Sequence, residues 1–273
     1  MTFCKLIHHD LRCGLFRVKY LLVALITSIP LIQYFQRLHL HNISGTLGDC
    51  LLYLFRGEQA ISLLSSGNHK IEAPILWILL ISTSPAIHID YFLRDLTSNG
   101  QQIIIRCQSR NRWMLAKCIW AMAGGFLYDL IIFVCAVVGC ILMKQEISFS
   151  MTPSVADILL EMGIVSSEQV EFTAVLKPLI AFQSINLLQI MLQLFIHPIA
   201  AFVICFAVLL FSLYSPVQWI PCMGAIALRN ISFPIAEAES WIPTISGLVT
   251  QIICVILSIW RFSSMDLLRR EDN

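Results

Sequence analysis

The chain has 273 residues, of which 58% are hydrophobic and 13% charged, with a mean hydropathy of +0.78. Soluble domains carry roughly 45–50% apolar and about 25% charged residues, so this composition excludes an ordinary soluble domain and places the chain in lipid. Eighteen basic residues stand against 17 acidic ones, a net charge of +1, which excludes the basic stripe that a nucleic-acid partner requires.

At the start, residues 2–17 repeat Phe3, Ile7, Leu11 and Leu15 every four positions, with Lys5, His8, His9 and Arg12 on the other side. That spacing predicts an amphipathic helix lying along the inner membrane surface. No short apolar stretch there ends in a small-residue cleavage site, so the run that follows is read as a retained span and not as a signal peptide. A membrane helix needs about 20 mostly apolar residues. Six such runs follow, at 20–35, 74–89, 120–142, 179–196, 198–214 and 242–260. They are continuous instead of alternating, which predicts an all-α polytopic membrane protein of one domain and excludes a barrel. His197 and Pro198 alone separate the fourth and fifth runs, so those two form a tight hairpin. Between the third and fourth, Pro153 opens a short apolar stretch suited to a surface helix. The segment from Ser215 to Trp241 mixes prolines with apolar residues in a way that lets it enter the bilayer part-way.

With both termini placed in the cytoplasm, 12 of the 18 basic residues fall inside: Lys5, Arg12, Arg17, Lys19, Arg94, Arg106, Arg110, Arg112, Lys117, Arg261, Arg269 and Arg270. Positive charge is retained on the cytoplasmic side, and the expected location is the cell membrane. Ten cysteines form no Cys-x-x-Cys pair. Cys135, Cys140, Cys205 and Cys254 read as small buried hydrophobes, and Cys50 and Cys222 are the one conceivable outer disulfide.

The chain has no G-x-x-x-x-G-K-[ST], H-E-x-x-H or G-x-S-x-G motif, so neither enzymatic activity nor a cofactor is expected, and any ATP hydrolysis belongs to a partner. His39 and His41 have no companion ligands, and no metal site is expected. Two sets of residues invite function. The first is the connector 91–117, which is almost wholly positive after Asp95 yet carries Ile103, Ile104 and Ile105 beside Arg106; an apolar patch rimmed by charge is read as a docking surface. The second lies within the spans. Asp129 falls mid-span, where a charge is costly. Gln183, Asn186, Gln189 and Gln193 share one helical face, to line a polar passage or to hold helices together by hydrogen bonds.

The sequence resembles the membrane-spanning permeases of type-2 ABC exporters, in particular uncharacterised six-span permeases of Gram-positive gut bacteria. The resembling residues are Thr46 to Asp49 and Leu51 to Gly57, Trp77, and, in the inner connector, Arg94, Asp95, Gly100, Gln101, Ile105, Arg106, Cys107, Gln108, Ser109, Arg110, Trp113 and Lys117; Arg112 joins the connector residues expected to dock. The resemblance implies that the connector docks on a separate ATPase subunit, and that two permease chains and two ATPases assemble in the lipid membrane. Two other classes stay open at this point: a non-transporting immunity or scaffold protein, and an intramembrane enzyme, for which Asp129 has no evident catalytic partner.

Overall fold

The computed structural model describes residues 3–15, 19–57, 74–89, 95, 109–158, 173–215, 217–226 and 241–265. Among them the chain is helical: α1 (Phe3–Leu15), α2 (Lys19–His41), α3 (Leu47–Leu54), α4 (Ile75–His88), α5 (Arg110–Leu142), α6 (Pro153–Ile158), α7 (Thr173–Gln193), α8 (Pro198–Tyr214), a 3-10 turn at Pro221–Ala225, and α9 (Ile242–Ser264). The one strand-like feature among the described residues is an isolated bridge between Thr46 and Glu146.

Three helices, α2, α5 and α9, are long and apolar enough to cross a membrane, and α4 and α8 are shorter apolar helices. The outward faces match that reading. Leu21, Leu25 and Ile32 on α2, Val134 and Ile141 on α5, and Ile252, Ile256 and Trp260 on α9 are all exposed, as lipid-facing side chains are. The buried residues are the ones that meet other helices. One core cluster is built around Tyr34, Trp77, Tyr128 and Phe182, and a second around Leu6, Trp113, Trp120 and Phe262.

Helix α5 is 33 residues long, about 50 Å at 1.5 Å per residue, and starts ten residues before the expected span at 120–142. The stretch 110–117, read from sequence as part of the connector, is therefore its first two turns. Ser109 caps it, with Oγ accepting from Arg112 N at 3.4 Å, and Trp113, Met114 and Lys117 are buried. Both α2 and α5 end on a residue in the left-handed region, Asn42 at φ 52° and Lys144 at φ 54°. In each, an N–H reaches back over the turn, Ile43 to Leu38 O at 3.0 Å and Gln145 to Cys140 O at 2.9 Å, which satisfies carbonyls that a helix end leaves open.

The two ends of the bundle are built differently. At one end lie α1, the start of α5 and the last turn of α9. At the other, α3 is opened by a capping box and tied to the segment after α5 by Leu47 N to Glu146 O at 3.1 Å and Gly48 N to Ser148 O at 3.0 Å. Thr46 Oγ1 accepts from Asp49 N at 3.2 Å, and Asp49 Oδ2 accepts from Thr46 N at 3.0 Å. Asp49 Oδ1 also accepts from Thr152 N at 2.9 Å, joining α3 to the start of α6. Of the segment expected to enter the bilayer, residues 221–225 form the buried 3-10 turn, and residues 227–240 lie outside the described residues. Trp77 Nε1 donates to Ala225 O at 3.2 Å, and a Cβ on Gly224 would lie 2.9 Å from Lys177 O, so glycine lets this turn press on α7.

Candidate functional site

The amphipathic reading of the first helix places charge correctly but misplaces the contact line. Lys5, His8 and Arg12 are exposed, while Leu6, Asp10 and Gly14 are the buried residues, with Phe3, Ile7 and Leu11 packed at the flanks. Positions 6, 10 and 14 stack along one face, and that face lies on α5. Gly14 is required there, because any Cβ would run into the Trp120 indole.

Asp10 is fully buried, and its Oδ1 lies 2.7 Å from Lys117 Nζ. Lys117, also fully buried, lies 2.6 Å from Asp95 Oδ2 in the connector after α4, and its ammonium sits 4.9 Å from the centre of the Trp113 ring. One lysine on α5 thus holds both the first helix and the connector. A buried cation needs this compensation, since removing a charge from water costs several kcal/mol unless partners replace the solvent. Trp113 stacks on Phe262 of α9 at 4.9 Å. Arg110 Nη1 donates to Met265 O at 2.8 Å, at the end of α9, where unpaired carbonyls and the helix dipole favour a cation.

One turn above Lys117, Trp120 meets His88 edge-on at 5.0 Å. His88 Nδ1 donates to Ser84 O at 2.7 Å. His88 is fully buried, and its Nε2 has no hydrogen-bond partner among the described residues. That nitrogen lies against Gly124, where a Cβ would collide with it and come within 3.1 Å of Tyr20 Oη; this hydroxyl too is buried without a partner among the described residues.

The polar line on α7 faces the same interior. Asn186, Gln189 and Gln193 are fully buried and Gln183 is half-buried. Asn186 Oδ1 accepts from Ser84 Oγ at 3.1 Å, and Gln193 Nε2 donates to Ile89 O at 3.3 Å. These two contacts show α4 and α7 running in parallel, so Gln189 lies level with the last turn of α4, where His88 stands. Both amide atoms of Gln189, Nδ2 of Asn186 and Oε1 of Gln193 have no hydrogen-bond partner among the described residues. Gly125 admits Asn186 and Gln183 closely, at 3.1 and 3.3 Å from a would-be Cβ. Asp129, 9% exposed, follows one turn beyond Gly125 on the same face of α5. Tyr128 beside it donates to Leu80 O.

The result is a column of polar groups inside an apolar bundle: Asp95, Asp10 and Lys117 at its foot, then His88, Tyr20 and Gln189, then Ser84 and Asn186. Its upper part is neutral and offers donors and acceptors. Among the described residues no three His, Cys, Asp or Glu side chains gather as metal ligands.

Of the residues expected to dock a partner, Arg94, Gly100, Gln101, Ile105 and Arg106 lie outside the described residues. Arg110 and Arg112 are exposed and Ser109 is half-buried, while Trp113 is fully buried and Asp95 turns inward to Lys117. Sequence reasoning missed Asp10 and His88 altogether. It also missed the α7–α9 contact, in which Ser184 Oγ lies 3.0 Å from Gly247 O and Gln251 Nε2 donates to Ile180 O at 3.1 Å.

Residues 20–268 match the family model described as Protein of unknown function (DUF2705). No curated protein and no solved structure matches the chain.

Proposed function

The chain belongs to that family of unknown function, and we propose that it is the membrane-spanning permease of an ATP-driven exporter, working with a separate ATPase subunit and a second permease chain. In this reading the shorter α4, α7 and α8 cross the cell membrane as well as α2, α5 and α9, and the end that carries α1 and Lys117 lies in the cytoplasm. The observation that carries it is the Asp95–Lys117–Asp10 cluster. A connector fixed by a buried ion pair to the foot of a 33-residue helix passes a push from a docked subunit directly into the bundle, as rigid-body motion of packed helices. The exposed Arg110 and Arg112 beside that foot offer basic side chains to such a subunit.

The neutral column supports a transport role over a purely structural one. A buried donor or acceptor left unpaired costs about 1–3 kcal/mol, and among the described residues Gln189, Asn186 and His88 together hold several. A polar solute crossing the bundle, or a rearranged helix contact, gains those bonds.

Affinity purification of the detergent-solubilised chain from its host tests the proposal. An ATPase is expected to co-elute with the wild type and to be lost with Arg106→Glu. Arg110 is a poor choice for that test, because its bond to Met265 O makes any change there a change in α9 as well. No ATPase in either sample overturns the permease reading in favour of a non-transporting scaffold.

A further inference from the structure

Above the ion cluster, two buried polar atoms from different helices meet at one place on α5. Tyr20, in the first turn of α2, is 7% exposed and His88 is fully buried, and neither Tyr20 Oη nor His88 Nε2 has a hydrogen-bond partner among the described residues. Both border the notch over Gly124. The position that a Cβ would take there lies 3.1 Å from Tyr20 Oη and is closer still to His88 Nε2. The two atoms are therefore less than two hydrogen-bond lengths of about 3 Å apart, yet they are not bonded to each other. One atom placed between them reaches both.

The ring decides the chemistry of that atom. His88 Nδ1 lies 2.7 Å from Ser84 O, a carbonyl that can only accept, so Nδ1 carries the proton. The ion pairs among the described residues run through Asp10 and Asp95 and not to His88, and burying a charge without a partner is costly. The ring is thus neutral, and Nε2 presents a bare lone pair. A group bound there must donate to Nε2 and share a second bond with the phenol, which excludes an anion. An O–H does both. Gln189, fully buried and level with His88, adds a donor and an acceptor that have no partner among the described residues.

We propose that Tyr20 and His88 form a binding site for one uncharged O–H group, which bridges α2 to α4 over Gly124. The O–H belongs to a water molecule held in the column, as buried polar groups commonly hold one, or to the hydroxyl of a polar solute. The inference goes beyond the transport reading, since the site is built by the bundle alone and stands whether or not an ATPase docks at the foot.

Tyr20→Phe deletes the hydroxyl and nothing else. Because that hydroxyl has no protein partner among the described residues, any loss of stability comes from the bound group. The melting temperature in detergent is expected to fall by about 2–4 °C. With nothing bound, the variant only removes a buried polar atom without a partner, and an unchanged or higher melting temperature overturns the proposal. Native mass spectrometry of the wild type separates the two sources. An adduct of fixed mass that Tyr20→Phe loses identifies a solute hydroxyl, and the bare chain mass together with the fall in melting temperature assigns the O–H to water. A cryo-electron-microscopy map that resolves water is expected to show a peak within hydrogen-bond reach of both Tyr20 Oη and His88 Nε2. A map without that peak overturns the proposal even if the variant does not fold. An ATPase that fails to co-purify leaves these results untouched.

Discussion

The α1 end and the α3 end solve the same problem with different chemistry. At the α1 end, two carboxylates and one ammonium are buried together, and the elements they join come from residues 10, 95 and 117. At the α3 end one carboxylate, Asp49, is held by backbone N–H groups within its own capping box and from Thr152. Ion pairs between distant segments bind strongly when complete and leave a costly charge when one member is lost. A capping box is local and modest. The α1 end is therefore the part of the molecule where one substitution disconnects three elements at once, and the α3 end is where substitutions act one by one.

The largest effect is expected from Lys117→Ala. It takes the ammonium away from Asp10 and Asp95, and by the cost of breaking a buried pair it lowers stability by about 3–5 kcal/mol. Thermal unfolding in detergent, together with proteolysis of α1, reads it. An unchanged melting temperature would mean that the cluster is hydrated and that the contrast between the two ends is mistaken. Next comes Gly247→Leu, at the middle of the bundle. Even a Cβ there lies 2.8 Å from Ile180 Cγ2, so overpacking is expected to cost about 1–3 kcal/mol and to pry α9 from α7.

Asp49→Ala removes the capping box, for about 1–2 kcal/mol. Its pH behaviour sharpens the comparison. Burial raises the Asp49 carboxyl above the ordinary carboxylate range, with the bonds from Thr152 and Thr46 pulling the other way. The folded state thus holds this proton more tightly than the unfolded state. Its contribution is complete below the ordinary carboxylate value and is lost as pH rises through the raised one. Asp49→Asn should flatten that slope in pH-dependent unfolding; a slope that survives would assign it to another group. The smallest effect is a gain. Lys144 occupies the left-handed region with an exposed side chain, so Lys144→Gly is expected to stabilise by about 0.5–1 kcal/mol, read as a small rise in melting temperature.

What the sequence revealed and what it hid divide along the range of the contact. The polar face of α7 was legible, because positions 186, 189 and 193 fall on one side of a helix whatever that side meets. The three membrane-length helices, α2, α5 and α9, were legible from run length. The start of α5 was not, since Arg110, Arg112 and Lys117 suggest solvent, and only the Ser109 cap and the spacing of Trp113 and Lys117 hint at two more turns. Asp10 could not be found, because an aspartate on an amphipathic helix reads as solvated, and its partner stands 107 positions away. The capping box of α3 carries Asp49 where glutamate is usual, which weakens the local signal for that helix.

The account turns on which end of the bundle faces the cytoplasm, and Cys4 and Cys13 on the exposed side of α1 are native reporters of it. A membrane-impermeant maleimide applied to intact cells is predicted to leave both unmodified and, applied to inside-out vesicles, to label both. Labelling in intact cells would place α1, Lys117 and the connector outside, beyond the reach of a cytoplasmic ATPase, and would contradict the account.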